Sequence, residues 1–194
     1  MRTANVVRNT AETKIGLALN LDGAGKSQID SGIGFFDHML TLLAAHSLMD
    51  LEVVCDGDLL VDGHHSIEDI GIALGTAFKQ AIGDKKGIKR YGTSYVPMDE
   101  ALAFVSLDIS GRPYLVYDAG DMAPMIGAYD TELTEEFLRA FSVHAGITLH
   151  VKVHYGRNSH HKVEAIFKAL GHALADAVEQ DPRIQGVLST KGVL

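Results

Sequence analysis

The strongest constraint on this chain is a pattern that occurs twice. His64-His65-x-x-Glu68 returns as His160-His161-x-x-Glu164, 96 residues later. With ten His in the chain, one such match by chance is about a one-in-forty event, and a second is far rarer. The flanks repeat as well. Ala73-Leu74-Gly75-Thr76-Ala77 and Ala169-Leu170-Gly171-His172-Ala173 stand at the same distance past each Glu. Glu12 precedes Gly23 by the eleven residues that separate Glu100 from Gly111, and His46 with Leu51 matches His144 with Leu149. A duplicated chain folds into two similar units. Two units fall short of the roughly three repeats a solenoid needs, so a pseudo-twofold pair is expected.

Each unit carries strand and helix periods in the same order. Ile15, Leu17, Leu19 and Leu21 alternate with small or polar residues, so 5–21 reads as extended. Asp22-Gly23-Ala24-Gly25 is a turn signal, after which 26–29 is expected to return as a hairpin strand. Helical spacing covers 35–46 and 64–82, with a strand-like run at 51–55 between them. Gly83-Asp84-Lys85-Lys86-Gly87 ends the second helix. It divides a first repeat, 1–86, from a second repeat with a C-terminal tail, 87–194, within one compact domain. The second half reads as a strand at 101–109, a turn, a short strand through Tyr117 and a loop at 118–129. A helix at 131–145, a strand at 149–155 and a last helix from His160 to about Glu179 follow. The class is α/β.

Composition narrows the function. A net charge of -8 argues against a nucleic-acid surface, which needs a basic stripe. A small phosphorylated substrate needs only a few placed Arg and Lys, and stays open. Lone Cys55 excludes an internal disulfide framework. No apolar leader and no membrane-length run is visible, so a soluble, cytoplasmic protein without a membrane partner is expected.

On a helix, His64 and Glu68 are four apart, and His65 and Glu68 three apart, so both pairs can meet. Adjacent histidines diverge by about 100°, which makes it hard for both to hold one ion. The economical reading is two metal ions, each completed by the other copy of the motif. Imidazole with carboxylate suits Mn, Fe, Zn or Ni. With no Cys in the set, structural zinc is disfavoured, and neither motif matches H-E-x-x-H or H-x-x-E-H. The plain alternative is surface histidines at helix N-termini with Glu in the first turn. His38, His46, His144, His150 and His154 could be ligands or hydrogen-bonded neighbours. A di-metal phosphohydrolase and a metal-binding scaffold protein are the rival functions, although strands before each motif count against an all-helical bundle.

Longer blocks resemble one family. Arg8-x-Thr-x-Glu12-Thr, Ser31-Gly-Ile-Gly-Phe-Phe-Asp-His38-Met-Leu and Asp62-Gly-His64-His65-Ser-Ile-Glu68-Asp are similar to the imidazoleglycerol-phosphate dehydratases. So are Arg90-Tyr-Gly, Pro97-Met-Asp-Glu-Ala-Leu, Asp108-Ile-Ser-Gly-Arg112-Pro-Tyr, His160-His161-x-x-Glu164-Ala-x-Phe-Lys168 and Ser189-Thr190-Lys191-Gly. The resemblance implies an internally duplicated unit with two mixed β-sheets sandwiching helices (ribosomal protein S5 domain 2-like). It also implies a 24-subunit shell and two Mn(2+) ions per active site, held between subunits. The implied ligands are His38, His64, His65, Glu68, His160, His161 and Glu164. Glu136 stands where many members carry His, and in the second repeat it holds the place of His38. Implied substrate contacts are Glu12, His46, Arg90, Arg112, Lys168, Ser189, Thr190 and Lys191, with His38, His64, Glu68 and His160 beside them. Leu188 departs from a Pro common before the tail motif.

The implied reaction removes water from D-erythro-imidazoleglycerol phosphate to give imidazole acetol phosphate, in L-histidine biosynthesis. The hydrogen to be lost is not acidified by a carbonyl, so a side-chain base alone is poorly matched to it. An imidazolate bound between two metals could expel hydroxide through a diazafulvene-like intermediate. Glu12 is expected to move the carbon-bound proton. Its plain alternative is a strand-end Glu paired with Arg8. Glu100 is the other candidate, although Asp99-Glu100 could merely brace the site.

Overall fold

The computed structural model describes residues 1–194. The first sheet contains β1 (Thr3–Asn9), β2 (Thr13–Asn20), β3 (Ser27–Asp30) and β4 (Asp50–Gly57), in the order β1-β2-β4-β3. Helices α1 (Gly34–Ser47) and α2 (His64–Ile82) flank β4 in the chain. The second sheet contains β5 (Tyr91–Met98), β6 (Ala101–Asp108), β7 (Tyr114–Asp118) and β10 (Thr148–Tyr155), in the equivalent order β5-β6-β10-β7. A two-residue ladder, β8 (Met125–Ile126) with β9 (Tyr129–Asp130), precedes α3 (Leu133–Ala145), and α4 (Ser159–Val178) closes the fold. The two mixed sheets and four helices match the expected class.

Several expectations needed correction. Residues 5–21 are two antiparallel strands, because the chain turns at Thr10–Glu12. Residues 26–29 do not return against β2. Instead β3 runs parallel to β4, and β4 takes the place beside β2, where Leu51, Val53 and Cys55 extend the apolar face of Ile15, Leu17 and Leu19. The short, largely exposed β3 is left at the sheet edge. Strand β5 carried no clear apolar alternation, and only Gly92 is fully buried along it. It is an edge strand, which also accommodates Pro97. The expected loop at 118–129 contains β8 and the start of β9.

The helices form the layer between the sheets. α2 lies on β1 and β2, and α4 on β5 and β6. Partnering then crosses between the units, with α1 against α4 and α3 against α2. Phe36, Phe137 and Phe167 meet at this crossing, with ring centroids 5.1–6.4 Å apart. Each is fully buried and contributes about 1.5–3 kcal/mol relative to exposure. The repeated glycines set the helix spacing. A Cβ on Gly75 would meet the Phe141 carbonyl at 2.7 Å, and one on Gly171 would meet His46 Cβ at 2.8 Å. No helix is long and apolar enough to cross a membrane.

Candidate active site

Each His-His-x-x-Glu motif occupies the first turn of its helix. The Asn158 side chain caps α4 by accepting from the backbone N–H of His160 and His161. The paired rings diverge as helix geometry requires: 87° between the planes of His64 and His65, 80° between His160 and His161, with both centroid separations 6.1 Å.

The first histidine of the second motif meets the crossed helix from the other unit. His160 Nε2 and His38 Nε2 both approach Glu164 Oε2, at 3.1 and 3.4 Å. One donor atom from each residue lies within 4.8 Å of the others. Glu164 is 6% exposed, and its other oxygen accepts from Lys168 Nζ at 2.6 Å. Burial opposes ionisation, yet the Lys168 bond and charge, aided by His160 and His38, hold this carboxyl below its ordinary range. Phe35 packs edge-on against His160. In the other unit His64 Nε2 stands 3.7 Å from Glu68. His64 and Glu136 both line a cavity of about 580 Å³, with Phe35, Asp62 and Leu133. The Glu136 carboxylate accepts from Arg139 at 2.8 Å, so it faces the cavity region without joining His64 and Glu68 in a tight cluster.

The second histidine of each pair is anchored through Nδ1. His65 contacts Asp58 at 2.9 Å, and His161 contacts Glu100 at 2.7 Å. These carboxylates raise both imidazoles above their ordinary range. A ring held in this way keeps Nε2 available and oriented, which is how outer carboxylates prepare histidine ligands. Asp58 had escaped the sequence reading. Its only signal is a turn, Asp56-Gly57-Asp58, and nothing in a turn specifies a histidine partner.

The repeat-mates Glu12 and Glu100 differ. Glu100 accepts from His161 and from the backbone N–H of Arg157 and Asn158. The His161 bond, followed by the two amides, brings its carboxyl down to about 2. Glu12 is half-exposed at the β1–β2 turn, with its carboxylate 3.7 Å from His65 Nε2. Arg8 does not pair with it; Arg8 Nη2 donates to Asp69 at 2.8 Å.

The other residues expected to contact substrate separate into two groups. Lys168 lies beside Glu164, and His46 Nδ1 is 3.1 Å from His172 Nε2 on the same α1–α4 seam. Arg90 lies at the opposite end of α4, its backbone N–H bonded to the Ala177 carbonyl. It is 8% exposed and uses Nε and Nη2 on Asp108 and Nη1 on the Leu188 carbonyl. Exposed Arg112 reaches within 3.7 Å of the same Asp108. The tail with Ser189, Thr190 and Lys191 follows Leu188, and Ser189 Oγ accepts from the Lys191 backbone N–H.

Known proteins share both the sequence and the fold. The sequence model of the family described as "Imidazoleglycerol-phosphate dehydratase" matches residues 31–174. A protein of that name from Clostridium botulinum (strain Hall) is 61% identical over 191 residues, covering 98% of this chain and 97% of the relative. One from Acetivibrio thermocellus is 60% identical over 193 residues, covering 100% and 99%. The crystal structure of the Staphylococcus aureus protein of that name superposes with a TM-score of 0.84 at 42% identity, covering 92% of this chain and 99% of that one. That of the Pyrococcus furiosus protein, in complex with (S)-C348, gives 0.85 at 37%, covering 97% and 100%. The chain belongs to the imidazoleglycerol-phosphate dehydratase family, a group of hydro-lyases.

Proposed function

We propose that this chain eliminates water from D-erythro-imidazoleglycerol phosphate, in histidine biosynthesis, at two divalent ions held between subunits. The dehydratase activity follows from family membership. The observation that carries the metal reading is the convergence of His38, His160 and Glu164 from two helices of different units. Separations of 3.1–3.4 Å suit adjacent ligands on one ion, which stand about 3 Å apart in octahedral geometry. Imidazole and carboxylate donors without sulfur fit a first-row ion such as Mn(2+). We assign His64, Glu68 and Glu136 as the corresponding set in the other unit, with Glu136 turning from Arg139 to do so.

His65 and His161 are held on Asp58 and Glu100 and belong to neither set, so each is assigned to complete a neighbouring subunit's site. The phosphate-binding groups support the same arrangement. About 20 Å of α4 separates Glu164 from Ala177, where Arg90 is tied. A three-carbon phosphate ester of imidazole is too short to bridge that gap. One copy therefore supplies ring-binding groups while another supplies Arg90, Arg112 and the tail residues Ser189, Thr190 and Lys191. A closed shell of 24 copies satisfies that need.

When bound, the ion pair supplies Lewis acidity to the substrate's imidazole. The chain supplies the rest. Lys168 and the distant Arg and Lys groups hold the phosphate, and His46 lies on the same seam as Lys168. Glu12 moves the carbon-bound proton, since its half-exposed carboxylate has only a 3.7 Å contact with His65 while that of Glu100 is consumed in bracing His161. The test is turnover of imidazoleglycerol phosphate before chelation, after chelation and after Mn(2+) is restored. A ketone that retains its phosphate, lost on chelation and recovered with Mn(2+), is expected. Phosphate release would indicate a hydrolase, and turnover that survives full chelation would remove the metals from the reaction.

A further inference from the structure

The two hairpin turns that carry Glu12 and Glu100 are held by different means. The register pairs Arg8 with Ile15 in the first hairpin and Val96 with Ala103 in the second, so Arg8, Thr13 and Asp69 correspond to Val96, Ala101 and Ala165. In the first unit these residues form a polar clamp. Asp69, 6% exposed on α2, accepts from Arg8 Nη2 at 2.8 Å and from Thr13 Oγ1 at 2.5 Å. The Thr13 hydroxyl meets Thr10 Oγ1, which accepts from the backbone N–H of Glu12 at 3.1 Å and of Thr13 at 2.9 Å. The three corresponding residues of the second unit are apolar, and there the turn is held by the Glu100 carboxylate itself, on His161 and two backbone amides.

A buried carboxylate with its partners is a costly way to secure a turn when an apolar trio packs the equivalent place. The clamp holds the turn through Thr10 and the backbone, so the Glu12 carboxylate is not what secures it. The geometry points to Asp69 as a positioning residue for Glu12, acting through Thr13 and Thr10. This rests on the proton-transfer role of Glu12 proposed above. Both Asp69 oxygens are occupied, one by Arg8 and one by Thr13. Asp69 fixes where the reacting carboxylate stands, and misplacement by about 1 Å at such a group can cost about 10²-fold in rate.

The test is a double-mutant cycle on the assembled, metal-loaded enzyme, with Glu12→Gln, Asp69→Asn and the pair, reading kcat, KM and bound metal. Asp69→Asn is expected to lower kcat by 10- to 100-fold, about the scale of such misplacement, with KM and metal content unchanged. It should lower the Glu12→Gln enzyme no further. A full, multiplicative loss on the Glu12→Gln background overturns the clamp while leaving the role of Glu12 intact, as does metal lost in step with activity. Normal turnover by Glu12→Gln overturns the role itself and the clamp with it. Should Asp69→Asn not fold, Thr13 carries the same test: Thr13→Val should lose kcat and Thr13→Ser retain it. Wild-type kcat in Thr13→Val overturns the proposal. So does wild-type kcat in the triple variant Arg8→Val/Thr13→Ala/Asp69→Ala, which copies the second unit's packing.

Discussion

His38 and Glu164 lie 126 positions apart in the chain, yet His38 Nε2 stands 3.4 Å from Glu164 Oε2. They meet because α1 packs on α4, so the second motif draws a third donor from the opposite unit. In the proposed arrangement the two ligand sets are separate, and each should fail alone. Glu164→Gln is expected to lower bound metal to about half, as ligand loss removes one ion's binding energy. Metal analysis after gel filtration reads this, and full loading of the variant would contradict the assignment.

Subunit complementation follows from the 20 Å or so of helix between the metal set and Arg90. Arg90→Ala and Lys168→Ala should each be nearly inactive as pure proteins. If one copy supplies Lys168 and another Arg90, random co-assembly restores about a quarter of the sites. Activity after the two are dissociated and reassembled together checks this. No recovery in verified mixed particles would place both residues of a site on one copy.

The Glu100 carboxyl, brought down to about 2, makes a pH-dependent contribution to stability. A depressed folded-state value means the contribution is fully present above the ordinary value of 4.5, shrinks as pH falls and is gone near 2. Thermal unfolding should therefore show wild type above Glu100→Gln at pH 6, with the two curves converging toward pH 2. A difference that persists undiminished at low pH would contradict the carboxylate's role.

Gly75→Ala and Gly171→Ala test the helix crossing. Replacing a mid-helix Gly gains up to about 1 kcal/mol of propensity. At these positions the new methyl would strike backbone or Cβ atoms at 2.7–2.8 Å, which rotamer changes cannot relieve. Overpacking of about 1–3 kcal/mol outweighs that gain. Each variant should lose roughly 2–4 °C in Tm per kcal/mol, and a raised Tm would refute the close approach.

Long apolar periods were legible in the sequence because burial on one face leaves a local imprint. The helices at 35–46, 64–82, 131–145 and from His160 onward, and the strands β2, β4, β6 and β10, carried it. β5 did not, since an edge strand facing α4 with a glycine needs no run of large apolar residues. β3 was read as a strand but given the wrong neighbour, because strand order depends on competition between sheet faces.

The duplication also announced the chemistry. Adjacent histidines on one helix must diverge, so two ligand directions follow from helix geometry, and the proposal of two ions rests on them. The sequence by itself therefore determined the repeat, the donor types and the family blocks. Tertiary structure decided which residues meet: His38 with the second motif, Asp58 with His65, Arg8 with Asp69 instead of Glu12. Those choices rest on helix crossing and buried ion pairing between distant segments, which spacing along a chain does not encode. Glu12 and Glu100 occupy equivalent places in the repeat, and only their three-dimensional partners separate the loosely held carboxylate from the one bound by three hydrogen bonds.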